Sequence, residues 1–145
     1  MTSWEHYIRD VAKGKVTAGQ YVKLAVNRHL YDLETADERG LYFDTDEALR
    51  VIRFIRLLRH TKGALAGKHF NLQPFQNFFL AMVFGWRWKK SGLRRFKKVY
   101  LEIARKNGKT ELGAAIAAYL LFADGEPQAE VYSAAADRDQ ASIVY

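Results

Sequence analysis

The spacing of apolar residues changes character along the chain. Through the first half they recur three and four apart, as on one face of a helix; from Phe96 they alternate, as on a strand, before a helix returns. Trp4, Tyr7, Ile8 and Val11 predict a short helix over about residues 3–13, capped by Ser3 and broken at Gly14. Thr17 opens a longer one over residues 18–33, with Tyr21, Leu24, Ala25, Leu30 and Leu33 as its buried side. A third runs from near Thr45 to about His60. Asp46 and Glu47 in its first turn suit the helix dipole, and Leu49, Ile52, Phe54, Ile55 and Leu58 form its apolar side. A glycine-bearing connection over residues 61–68 then leads to a helix over residues 74–86, started by Pro74.

Beyond Phe96, Val99, Leu101 and Ile103 face one way and Tyr100, Glu102 and Ala104 the other, which predicts a strand over residues 96–104. A polar loop follows, then an alanine-rich helix over residues 109–123, a turn at residues 125–127 and a second strand over residues 129–135. Strand, loop, helix, strand implies a right-handed crossover between two parallel strands. Asp137, with Gln140 in the capping-box position, predicts the start of one more helix.

Charge adds two basic features. Arg50, Arg53, Arg56 and Arg59 recur every third residue and make an oblique helical stripe, either a solvated face or a phosphate-contacting one. Arg87, Lys89, Lys90, Arg94, Arg95, Lys97 and Lys98 form a cluster broken at Ser91-Gly92, where an exposed turn is expected. The net charge of +7 favours polyanionic partners without requiring one.

Composition narrows the classes. With 145 residues, 49% of them hydrophobic, the chain can bury one core without covalent staples. It has no cysteine, so disulfides and thiolate metal sites are excluded, and His6, His29, His60 and His69 show no ligand spacing. The start of the chain is not a cationic leader, and the apolar run over residues 112–123 is too short to cross a bilayer. These features lead us to expect a soluble intracellular protein with no membrane partner.

The chemistry concentrates at Ala104-Arg105-Lys106-Asn107-Gly108-Lys109-Thr110, which holds the Gly-Lys-Thr core of a phosphate-binding loop. Gly108 lets the backbone approach phosphate oxygens, and successive N–H groups at the helix start form an anion nest. Lys109 would neutralise the β and γ phosphates, and Thr110 would offer its hydroxyl to Mg²⁺. Ile103 stands where the usual pattern has its first glycine, so the motif gains its force from the strand before it and the helix after. The competing reading is a plain basic strand-to-helix turn. Arg105 either stabilises charge on the γ phosphate in cis or pairs with Glu102 or Glu111. Upstream, Gln76 follows Pro74 at the start of its helix. Its amide matches the donor and acceptor edge of adenine, although by itself it reads as a surface or capping residue.

Together, Leu72-Gln73-Pro74-Phe75-Gln76, Leu101-Glu102-Ile103 with the loop through Thr110, and Val131-Tyr132-Ser133-Ala134-Ala135-Ala136-Asp137-Arg138-Asp139-Gln140-Ala141 resemble the large terminase subunits of tailed bacteriophages, of the HK97-like type. The resemblance covers residues 72–145. It implies an α/β fold: a helical region over residues 1–68, then the first part of a P-loop ATPase domain over residues 69–145 with a parallel βαβ core. It implies ATP and Mg²⁺ as cofactors, Gln76, Arg105, Lys106, Asn107, Gly108, Lys109 and Thr110 at the nucleotide, Arg105 and Lys109 as catalytic groups, and Thr110 at the metal. It further implies double-stranded DNA as partner, with Arg87, Lys89, Lys90, Arg94 and Arg95 as candidate contacts, the small terminase subunit and portal protein as further partners, and the cytoplasm of a bacterial host as location. In such proteins a carboxylate pair on a later strand activates water and a separate nuclease cuts DNA. Neither can be placed in these residues, so nucleotide binding is expected more readily than hydrolysis. A helicase-like ATPase shares the glutamine and the loop, and a non-catalytic basic nucleic-acid-binding module would rest on the two basic features alone.

Overall fold

The computed structural model describes residues 1–60 and 65–134. The cap expected at Asp137, the end of the strand expected over residues 129–135, and residues 61–64 of the connection lie outside the described residues. The chain divides into two compact units, Met1–Ile52 with Leu72–Val99, and Arg53–Asn71 with Tyr100–Tyr145.

In the first unit, α1 (Ser3–Ala12) begins with a capping box, in which Thr2 accepts from the Glu5 amide and Glu5 reaches back to the Thr2 amide. The cap is therefore Thr2, one residue before the expected Ser3. Trp4, Ile8 and Val11 are buried, and Tyr7 meets Phe78 of α4 (Pro74–Gly85), on which α1 packs. Pro74 opens α4 at a position that needs no N–H, and the Asn77 side chain donates to the carbonyls of Leu72 and Gln73, both at 3.0 Å.

The second helix, α2 (Gln20–Thr35), departs from expectation. Tyr21, Leu24, Leu30 and Leu33 are exposed, and the buried side carries Val26, His29 and Asp32. Specific partners for the two polar groups outweigh the aliphatic face. Asp32, 1% exposed, accepts from Arg39 Nη1 at 2.5 Å and from Arg95 Nη1. His29 Nδ1 accepts the indole N–H of Trp86 at 3.1 Å, which fixes the neutral ring with its proton on Nε2. Burial lowers the His29 pKa to about 4, against the smaller opposing influence of Asp32 and Glu5. Phe43 and Trp86 meet His29 edge to face, and a methyl group at Gly85 would lie 2.6 Å from Cε2 of Phe43, so this glycine admits the ring.

The sheet also differs from expectation. It joins β1 (Leu41–Phe43) to β2 (Trp86–Trp88), antiparallel, with Tyr42 opposite Arg87. The turn after β2 falls where Ser91-Gly92 predicts it, with Gly92 at φ +67° and its carbonyl accepting from Arg87. The helix α3 (Thr45–Leu57) is capped by Asp44, whose Oδ1 accepts from the amides of Asp46 and Glu47. Ala48, Val51, Ile52 and Ile55 are its buried positions.

In the second unit, α5 (Lys109–Phe122) buries Leu112, Ala115 and Tyr119, and Phe54 packs edge-on against Tyr119. The two strands predicted to be parallel are not paired among the described residues. Residues 101–104 nevertheless keep the alternation read from sequence, and residues 129–134 also alternate. Leu101, Ile103, Ala129, Val131 and Ser133 are partly covered while Glu102, Ala104, Glu130, Tyr132 and Ala134 are exposed. The physical reason is that alternation places side chains, whereas a ladder needs neighbours, and a two-strand parallel sheet is marginal without more of them. The shown architecture is thus mixed helix with one small sheet. No helix among the described residues is long and apolar enough to cross a membrane.

Candidate nucleotide-phosphate site

The loop between the extended segment and α5 is shaped by three consecutive residues. Lys106 and Gly108 both occupy the left-handed region, at φ 66° and φ 71°. Gly108 does so at no steric cost, whereas Lys106 carries a side chain through a conformation disfavoured by about 1 kcal/mol, the kind of local strain that collects at functional turns. Between them the Asn107 side-chain amide donates to the carbonyls of Ala104 at 3.2 Å and Arg105 at 3.4 Å, closing the turn on itself.

Gly108 is the N-cap of α5, and no side chain among the described residues caps the helix. The first N–H groups of α5 are thus left without an internal acceptor and carry the positive end of the helix dipole. Glycine, left-handed backbone and open amides together form a concavity suited to an oxyanion. Arg105, Lys106, Lys109 and Thr110 are exposed around it, and neither Arg105 nor Lys109 has an ion pair among the described residues. The pairing of Arg105 with Glu102 or Glu111, open from sequence, is not formed. Spacing alone did not reveal the Asn107 clamp or the strained Lys106. An asparagine next to a glycine was the available signal for such a turn.

Gln76 lies in the first unit and the loop in the second. Gln76 is nearly buried, and its Oε1 accepts the Gln73 amide at 2.9 Å, completing a capping box at the start of α4. The capping role weighed from sequence is present.

The basic residues divide in the same way. Arg87 donates to Glu47 at 2.7 Å and to the Gly92 carbonyl at 2.8 Å. Arg95 is held by Asp32, Lys89 pairs with Asp37, and Arg94 lies over the Phe84 ring at 5.4 Å. Lys90, Lys97 and Lys98 face solvent. In the stripe on α3 and just beyond it, Arg50 pairs with Glu47 at 3.4 Å, Arg59 donates to the Gly67 carbonyl at 2.7 Å, and all four arginines are exposed.

Residues 74–145 match the family described as "Terminase large subunit, ATPase domain". The chain is also similar to the large terminase subunit of Enterobacteria phage HK97, at 38% identity over 98 residues, which cover 66% of this chain and 18% of that protein. No solved structure gives a significant match. The family match includes Gln76, the whole loop and α5. By both comparisons the chain belongs to the large terminase subunits, as part of the amino-terminal ATPase region.

Proposed function

We propose that this chain is the ATP-binding portion of a terminase motor that couples ATP hydrolysis to the packaging of double-stranded DNA into a capsid. The single observation that carries the proposal is the loop: left-handed Gly108 leading into a helix with no side-chain cap among the described residues, with exposed Lys109 and Arg105 beside it. On this reading residues 69–145 are the first part of a P-loop ATPase domain, behind a helical region over residues 1–68. Bound Mg·ATP supplies a phosphoanhydride whose cleavage releases free energy for movement.

The roles of the chain's own groups follow from their chemistry. The amides from Gly108 onward and the peptide bonds of Lys106 and Asn107 would hold the phosphate oxygens, which would supply acceptors at the helix start. Lys109 contributes a point charge at the β and γ phosphates, and the hydroxyl of Thr110 is a hard oxygen ligand suited to magnesium. Arg105 would stabilise charge spreading onto the terminal phosphate, as an arginine supplied from the same chain. By the resemblance, the amide of Gln76 would serve the adenine edge of the nucleotide. Such a motor works in the host cytoplasm with the small terminase subunit and a portal protein as partners. Lys90, Arg94 and the exposed lysines near them are candidates for the DNA side.

Lys109→Ala tests this. Loss of a charge-assisted contact is worth about 1.5–3 kcal/mol, so Mg·ATP binding should weaken by roughly tenfold to a hundredfold. Binding to duplex DNA should persist. If the parent chain binds DNA but no ATP under the same conditions, the motor reading fails and a basic binding module remains.

A further inference from the structure

Arg28 projects from α2 and is exposed, yet it is not loose. Its Cζ lies 4.8 Å from the centroid of the Phe96 ring, and Arg95 Cζ lies 4.9 Å from the same ring. Arg95 is committed to Asp32 Oδ2, and Arg39 takes Oδ1 at 2.5 Å. Two guanidiniums thus share the Asp32 carboxylate, and a third, Arg28, shares the Phe96 ring with one of them, a formal excess of two positive charges over these four groups. Arg28 has no ion pair among the described residues, and Asp32 already serves the other two arginines.

Partial burial and then the nearby charge of Arg95 both disfavour the charged form of Arg28, with Asp32 a weaker counterweight. A guanidinium remains charged even so. Stacking over an aromatic face is worth only about 0.5–1 kcal/mol at an exposed site, and it leaves the donor edges in the guanidinium plane available. A planar fork held in place, with excess positive charge behind it, matches a phosphate oxyanion. Lys97 and Lys98 are exposed immediately after Phe96, and a row of cations suits a chain of phosphates better than a single small anion.

We propose that Arg28, pre-oriented by Phe96 beside Arg95, contacts a backbone phosphate of duplex DNA. The inference rests on the reading of the chain as part of a DNA-packaging motor, and it adds a contact on α2, outside the basic segment after Trp86.

The test is the salt dependence of binding to a short duplex of mixed sequence. Each phosphate neutralised contributes about 0.9 to the slope of log K against log salt, so Arg28→Ala should lower the slope by about 1. Arg28→Lys should restore the slope while binding more weakly than the parent, and Phe96→Leu should weaken binding with the slope nearly kept. Titration with inorganic phosphate separates the sources of the oxyanion. If Arg28→Ala abolishes phosphate binding but leaves the duplex slope unchanged, the proposal is overturned, as it is by an unchanged slope alone or by a parent that binds no duplex. Mg·ATP titration of the parent, run alongside, reports on the nucleotide reading independently of the slope.

Discussion

Asp32→Ala is expected to lower folding stability by about 3–5 kcal/mol, because it removes one partner from a buried ion-pair network and leaves the others. Arg95, with a side chain only 14% exposed, would keep its charge in a site that has lost its carboxylate. Arg39 is more exposed and should relax into water, so most of the cost falls on Arg95. Urea unfolding of parent and variant measures the difference. Adding Arg95→Leu to Asp32→Ala should recover part of the loss, since an apolar group of similar reach does not leave a charge stranded. A single variant within about 1 kcal/mol of the parent would show that the network is not what holds α2 in its orientation.

Acid should destabilise the first unit through His29. Its pKa is about 4 when folded and 6.5 when free, so between those values the unfolded chain binds more protons. The stability that rests on the neutral ring is fully present above pH 6.5 and is lost as pH falls towards 4. The lost stability approaches about 3 kcal/mol, at about 1.4 kcal/mol per unit. Protonation would also place a second N–H against the Trp86 indole donor, which then has no acceptor there. His29→Gln keeps an acceptor and does not titrate. Between pH 7 and pH 4.5 the parent should therefore lose clearly more stability than this variant, and parallel pH profiles would remove His29 from the account.

Sequence revealed those features that depend on local chemistry. The helix starts at Pro74 and Lys109, the acidic first turn of α3 and the turn at Gly92 follow from residue type and spacing, and each is found within a residue or two of its expected place. The face of α2 was not legible, because the partners that make Asp32 and His29 worth burying come from Arg95 and Trp86, more than fifty residues away. Periodicity weighs each residue by its own polarity and therefore places Tyr21 and Leu24 inside. The strands Leu41–Phe43 and Trp86–Trp88 are too short to show alternation against background. The opposite holds over residues 101–104, where alternation was read and is kept as burial but no ladder is present among the described residues.

At the candidate site the motif core gave the position of the loop, and the structure added its shape. Gly-Lys-Thr located the helix start, while the absence of a side-chain cap and the left-handed Lys106 depend on how residues 104–108 turn. Gln76 shows the limit of a motif read alone, since its side chain already caps α4.

The central claim is that the uncapped amides at the start of α5 receive nucleotide phosphates, and hydrogen exchange measures those amides directly. With Mg·ATP added, the N–H groups of Lys109, Thr110 and Glu111 should exchange more slowly in the parent chain, and the slowing should be much reduced in Lys109→Ala at the same concentration. Unchanged exchange at these positions while the parent is saturated with ATP would contradict the account.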